Sequence, residues 1–425
     1  MVNRRKVLVG LGSSLSCAWA NAATKTPAAA ARVVVVGGGF AGASCALALK
    51  AAAPSLSVTL VEPERTYTAC PLSNLVVAGI RPMSAQKFGY GRLAARGIAV
   101  AHARASDVNP ARRHVTLAHG QELPYDRLIL APGIEFAWQA MSGYGKAASA
   151  RMPHAWQGGE QTLLLRDQLR AMPDGGLVLM AVPDNPYRCP PGPYERASLI
   201  AHYLKAHKPK SKLLILDAKD HFSKQALFTQ AWQRFYGDMV EWHGRSEGGE
   251  VVSVAPDAMT VNTDFEMFKG NVVNLIPRQR AGAIAQAAGV ADASGWCPVA
   301  PATFESRLQP KMHVIGDAAI ANAMPKSAFA ADAQAKHCAV QVVRLLAEQA
   351  PLPGKLINTC YSLAAPDYGF SVAGVYRPTD DAWVEVAGSG GTSPLQADDE
   401  FRRLEAGHAA AWFETLTTEL FGGHS

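Results

Sequence analysis

The sequence predicts an α/β chain with two tandem βαβ units of the nucleotide-binding type and a smaller α+β unit at the C-terminal end. Three observations carry that expectation. Residues 33–36 are an unbroken valine run that breaks into Gly37-Gly38-Gly39-Phe40-Ala41-Gly42, passes through a helical stretch at 43–52 and a second apolar run at 56–61, and stops at Glu62. Residues 177–182 open a second apolar strand, followed by a turn, a helical stretch at 194–206 and another strand at 213–217. Residues 312–319 then read as a strand closing on Gly316-Asp317.

The first unit has the order strand, glycine turn, helix, strand, acid, which is the dinucleotide-binding fingerprint. Gly37 permits the tight turn, Gly39 lets the backbone approach a pyrophosphate, and Gly42 lets the helix lie close to the strands. The N-terminus of the helix, with Phe40 and Ala41 in the turn before it, offers free N–H groups and partial positive charge to phosphates. Glu62 follows Gly42 by 20 residues, where a carboxylate takes ribose hydroxyls. Residues 66–74 then form a polar, turn-like stretch that carries Cys70 at the ligand-bearing edge of such a sheet. Residues 97–103 and 114–117 read as strands of a small sheet. The strand before Ala131-Pro132-Gly133 enters a small-Pro-Gly turn of the kind found where the chain leaves the FAD domain in flavoproteins with two dinucleotide domains. In such proteins an aspartate placed like Asp317 binds the ribityl or pyrophosphate portion. Lys326 or Ser327 begins a long helix at 328–348, whose N-terminus brings positive potential to the flavin pyrimidine. Together these residues point to FAD at the first site.

The second unit keeps the strands and helix and loses the glycines. Its turn, residues 183–193, holds five prolines together with Arg188 and Cys189. Glycines at that position are what let a pyrophosphate approach, so the turn argues against NAD(P)H as electron source. Residues 220–244 carry Phe222, Phe228, Trp232, Phe235, Tyr236 and Trp242, read as core or interface. In the tail, 367–376 suggests short alternating strands and 409–421 an amphipathic helix with acids but no Lys or Arg, a poor membrane-surface helix. The expected domains are 31–145 with 272–350 for FAD, 146–271 for the second unit without a nicotinamide fingerprint, and 351–425 as an interface unit.

The chain has 425 residues, 48% hydrophobic and 18% charged, enough for several cores, with a formal charge of +6. Three of its cations, Arg4, Arg5 and Lys6, fall in residues 1–22, so the rest is nearly balanced and offers no electrostatic case for nucleic acid. That first segment reads as an export signal of the twin-arginine type, with an apolar stretch and Ala20-Asn21-Ala22 as small-x-small cleavage site. The expectation is a soluble periplasmic protein without stable membrane insertion, since no other stretch approaches the about 18 apolar residues of a span. Beyond the leader lie Cys45, Cys70, Cys189, Cys297, Cys338 and Cys360, none in CxxC or CxxCH spacing. The histidines show no metal-ligand spacing, and no metal is expected.

The blocks at 68–74, 189–197, 274–285, 296–306, 316–336 and 358–376 resemble the flavoprotein subunit of flavocytochrome c sulfide dehydrogenase, and the similarity extends from Arg32 to about Phe421. The resemblance implies a glutathione-reductase-like fold of tandem FAD/NAD(P)-binding domains with a C-terminal interface domain. It implies a thioether from Cys70 to the flavin 8α-methyl group, a redox-active disulfide between Cys189 and Cys360 beside the ring, and Glu195 as acid/base. It further implies hydrogen sulfide as substrate and a small c-type cytochrome as partner. Competing expectations are a sulfide:quinone oxidoreductase, an NADH-dependent reductase, and a catalytically silent periplasmic flavoprotein that binds sulfur species.

Overall fold

The structure, a computed structural model, describes residues 31–423; the expected leader at 1–22 lies outside them. The valine run forms β1 (Arg32–Val36), whose Val33, Val34 and Val35 are buried. A strand covered on both faces has no polar side to alternate with, which is why the run is continuous. The chain continues through α1 (Phe40–Ala52), β2 (Ser57–Val61), β3 (Ala99–Ala101) and β4 (Arg127–Leu130). Strand β3 is the edge of this parallel sheet, next to β2, and not part of a small sheet as expected. His114–Leu117 does lie in a separate three-stranded antiparallel sheet. Part of the supposed turn at 66–74 is also regular: Thr66–Thr68 pairs with Lys87–Gly89, and Ser73–Val77 is a short helix.

The second unit comprises β5 (Leu177–Val182), α2 (Gly192–His207), β6 (Lys212–Asp217), α3 (Gln225–Phe235), β7 (Val240–His243) and β8 (Val272–Leu275). Its strands run parallel in the order β7-β6-β5-β8. Because β8 hydrogen-bonds to β5, the second sheet extends through Leu275, past the expected boundary at 271. Of the aromatic residues between, Phe228, Trp232 and Tyr236 are buried.

The chain then returns to the first sheet. Strand β9 (Met312–Val314) pairs in parallel with β4 and completes the order β9-β4-β1-β2-β3. Helix α4 (Ala328–Leu346) packs on α1. Ser327 caps it: the hydroxyl accepts from the Ala330 N–H at 3.0 Å and donates to Asn358 Oδ1 at 2.6 Å. The last unit is an antiparallel sheet of β10 (Leu356–Ala365), β11 (Tyr368–Pro378) and β12 (Trp383–Glu385), crossed by α5 (Asp399–Phe421). These strands are longer than expected, and the final helix starts ten residues earlier than 409 because Asp398 caps it, accepting from the Phe401 N–H at 2.8 Å. At its far end Phe421 stacks on Tyr67 at 5.2 Å and on Phe88 at 5.6 Å, so the C-terminal helix is bolted to the first unit. Among the described residues no helix is long and apolar enough to cross a membrane.

Candidate active site

The chain runs from β1 to β2 on one side and reaches β4 on the other, so ligands are expected outside the carboxyl end of β1. A cavity of about 370 Å³ lies there, within the roughly 300–1,000 Å³ typical of ligand clefts. Gly37, Gly39, Phe40, Ala41, Glu62, Pro132, Gly133, Gly316, Asp317 and Ser327 line it, as do Cys70, Cys189, Glu195 and Cys360. Two expected cofactor residues stand apart. Gly42 acts behind the wall, where an added Cβ would sit 1.8 Å from the Gly37 carbonyl oxygen. Its role is the close helix–strand approach read from the sequence. Lys326 turns away, with its ammonium 3.9 Å from the Trp296 ring centroid and donating to the Asp317 and Ala319 carbonyls at 2.7 and 2.9 Å. It braces the Gly-Asp loop from behind the cavity wall.

The nucleotide end fits a dinucleotide. Gly37 has φ +103°, and a side chain there would run into the Ala131 carbonyl oxygen at 2.2 Å, so only glycine lets β1 and β4 end side by side. Glu62 accepts from the Gly38 and Glu64 N–H groups at 2.7 and 2.9 Å, which holds its carboxylate at the end of β2. Asp317 supplies the sharpest test. Its Oδ1 is buried with no hydrogen-bond partner among the described residues, and burial raises its pKa against the pull of Arg188 and Lys326. A buried acceptor left unpaired is costly, and a ribityl hydroxyl donor would satisfy it. The Trp156 indole N–H on the cavity wall is likewise without a partner. The residues present therefore fit FAD.

The sulfur end joins parts of three units. Cys189 lies in the turn before α2, Glu195 in the first turn of α2, and Cys360 in the middle of β10. All six cysteines among the described residues are free thiols. Cys189 takes φ +59°, unusual for a residue with a Cβ, and its N–H donates to the Lys326 carbonyl at 2.8 Å. Its pKa is pushed up to about 12, first by burial and then by the charges of Cys360 and Glu195, so the two thiols sense one another. Cys360 is buried and accepts from Asn358 Nδ2 at 3.3 Å. Glu195 accepts from Asn74 Nδ2 at 2.8 Å and from the Leu363 N–H at 3.1 Å. Burial still raises its pKa, because these two bonds only partly offset the loss of water. Asn74 is itself oriented: Arg196 Nε donates to its oxygen at 3.0 Å, leaving the amide N–H for Glu195.

Of three cations here, Lys224 and Arg196 were not singled out from the sequence, and Arg188 was read only as part of the proline-rich turn. Lys224 is buried and donates to the Cys360 carbonyl at 2.7 Å and to Ser362 Oγ at 2.7 Å. Burial lowers its pKa to about 8 although Cys360, Glu195 and Cys189 hold it up. Arg196 is buried over the Trp156 ring at 4.8 Å. Arg188 reaches Cys70 Sγ at 3.6 Å, donates to the Trp156 carbonyl, and sits 4.0 Å from Asp317. A lone lysine inside the aromatic run at 220–244 was the available signal for Lys224; an arginine among prolines was that for Arg188. Trp412 of α5 also lines the cavity, a place that the amphipathic pattern of its helix does not announce.

The family model of the sulfide dehydrogenase [flavocytochrome c] flavoprotein chain, central, matches residues 162–277, and that of the flavocytochrome c sulphide dehydrogenase, flavin-binding, matches 353–421. The sulfide dehydrogenase [flavocytochrome c] flavoprotein chain of Chlorobaculum thiosulfatiphilum is 62% identical over 45 residues, 94% of that sequence and 11% of this chain. The chain belongs to this family. A pyridine nucleotide-disulphide oxidoreductase model matches residues 31–156. The flavin-binding family domain indicates FAD. Mouse mitochondrial sulfide:quinone oxidoreductase is 22% identical over 310 residues, 67% of this chain and 65% of that one, so this chain spans just under two thirds of that relative. The solved sulfide:quinone oxidoreductase of Aquifex aeolicus superposes with a TM-score of 0.73 at 16% identity over 92% of each chain. Putidaredoxin reductase in its covalent complex with putidaredoxin gives 0.65 at 16% identity, over 93% of this chain and 99% of that one. The fold is thus the tandem FAD/NAD(P)-binding one.

Proposed function

We propose that the protein is an exported, periplasmic flavoprotein that oxidises hydrogen sulfide through a Cys189–Cys360 redox pair and passes electrons to a c-type cytochrome. The observation that carries this reading is one cavity lined at one end by Gly37, Gly39 and Asp317 and at the other by Cys189, Cys360 and Glu195. Hydrosulfide attacks Cys189 in the bridged form; the S–S bond breaks, a persulfide forms on Cys189 and a thiolate on Cys360. Lys224, held against the Cys360 carbonyl, supplies the positive charge that this thiolate needs in a buried site. Glu195, with its raised pKa, takes up the proton of the substrate. FAD, which Gly37, Gly39 and Asp317 would hold, would supply the two-electron acceptor for the pair that the sulfur loses and the route to a one-electron acceptor. Cys70, on the same wall, would hold that cofactor through a thioether.

The proline-rich turn before α2 supports sulfide rather than NAD(P)H as the source of electrons, since it keeps the glycines of a pyrophosphate site out. Likeness to sulfide:quinone oxidoreductases supports a second reading that differs only in the acceptor. Anaerobic addition of sulfide to the FAD-loaded protein should bleach the flavin, and NADH should not. Cys189→Ser and Cys360→Ser should each abolish bleaching by sulfide. Reoxidation by cytochrome c but not by a soluble quinone supports the first reading, and the opposite pattern supports the second. Failure of sulfide to bleach wild type would leave the silent sulfur-binding flavoprotein.

A further inference from the structure

The turn that replaced the nicotinamide fingerprint does more than carry Cys189. Its neighbour Arg188 crosses the cavity wall to a different sulfur, that of Cys70, with Nη2 3.6 Å from Sγ. The guanidinium is fixed from two further sides: it donates to the Trp156 carbonyl and lies 4.0 Å from Asp317. The Arg188 N–H donates to Gln279 Oε1 at 2.9 Å, which anchors its backbone to the first unit. The Trp156 carbonyl also lies 3.9 Å from Cys70 Sγ, so thiol and cation share one acceptor. The other titratable groups that act on this corner include the Tyr67 hydroxyl, the Arg196 guanidinium, the Cys189 thiol and the His154 imidazole. Tyr67 is held neutral by burial, its pKa well above the ordinary value.

We propose that Arg188 is the residue that activates Cys70 for covalent attachment of the flavin. The inference rests on the thioether reading given above. A thiolate, not a thiol, is the nucleophile at sulfur, and a cation in contact with the sulfur favours it. In the linkage step the Cys70 sulfur forms a bond to the 8α-carbon, and the 8α C–H bond breaks with loss of its proton. The electron pair released stays on the FAD ring as a two-electron reduction. Dissolved dioxygen or the physiological electron acceptor then removes that pair. The same guanidinium also lies 4.0 Å from Asp317, so one cation faces both the sulfur and the carboxylate. The turn thus carries two adjacent residues with different roles toward one cofactor, Cys189 in the sulfur chemistry and Arg188 in attachment.

The test uses the mature chain as wild type, Arg188→Gln, Arg188→Lys and Cys70→Ser, each loaded with FAD in air. Two quantities are read: flavin bound in the native protein, and flavin that stays with the chain after acid denaturation, confirmed by intact mass. Arg188→Gln is expected to bind FAD and to link it roughly tenfold more slowly at neutral pH, because the cation that contacts the sulfur is gone. Arg188→Lys should lie between it and wild type, and Cys70→Ser should not link at all. Linking by Arg188→Gln at the wild-type rate overturns the proposal. Wild type that releases all its flavin overturns the thioether reading itself, and the proposal with it. For a variant that takes up no flavin, the rate of Cys70 alkylation by iodoacetamide decides. About tenfold slower in Arg188→Gln at neutral pH upholds the proposal, and an unchanged rate contradicts it.

Discussion

Lys224 is a buried ammonium whose hydrogen-bond partners, a carbonyl and a hydroxyl, are both neutral. Such a group is expensive to keep charged unless an anion appears beside it, and the proposed Cys360 thiolate is that anion. Its pKa of about 8 fixes the sign of the pH effect: the ammonium is present below that value and lost above it. Lys224→Met should therefore slow flavin bleaching by sulfide roughly tenfold at pH 7 and have little effect at pH 9. A stopped-flow pH series on both proteins checks this, and an equal slowing at both pH values would speak for a packing role. Glu195 gives a second profile. Its pKa is raised, so the active carboxylate form accumulates only above the ordinary carboxylate range, and the wild-type rate should climb with pH through that region. Glu195→Gln should flatten the climb and cost roughly a hundredfold in rate. A retained limb would assign it to another group, of which His154 is a poor choice, since burial drives its pKa down to about 3.

Elements hold these residues in place, and two of the holds are steric. Gly42 is where α1 crosses β1, and its missing side chain is what allows the crossing. Gly42→Ala would press a methyl group against the Gly37 carbonyl at 1.8 Å, so a loss of about 3 kcal/mol and a drop in FAD content are expected. Thermal melts with flavin quantitation read both, and a variant with wild-type melting and full flavin would be inconsistent with this crossing. The order of the elements was legible because parallel strands buried on both faces announce themselves as continuous apolar runs, as at 33–36 and 177–182. Errors arose where pairing is non-local. Nothing in residues 99–101 says that they bond to β2 rather than to a separate sheet, and β8 is claimed by β5 across nearly a hundred residues of chain. The start of α5 was missed because its first turns are polar and only the Asp398 cap marks them.

At the scale of the molecule, the candidate site is a meeting of three units, and that is why only part of it could be read in advance. Glycines and an aspartate at strand ends have local signatures; Lys224 and Arg188 acquire meaning only when α3 and the proline-rich turn are packed against β10 and the cavity wall. The final helix matters for the same reason. By stacking Phe421 on Tyr67 and Phe88 it ties the C-terminal unit, with Trp412 at the cavity, to the unit that carries the fingerprint. Removing the ring in Phe421→Ala should loosen that tie, cost about 3 kcal/mol, and lower flavin retention on dilution. The proposed coupling between flavin and cysteines is open to a direct reading, anaerobic reductive titration of the FAD-loaded protein with dithionite. Wild type is expected to take up two electron pairs per flavin, one for the ring and one for a Cys189–Cys360 bridge, and Cys360→Ser a single pair. A wild type that accepts only one pair per flavin would contradict the redox role of the two cysteines.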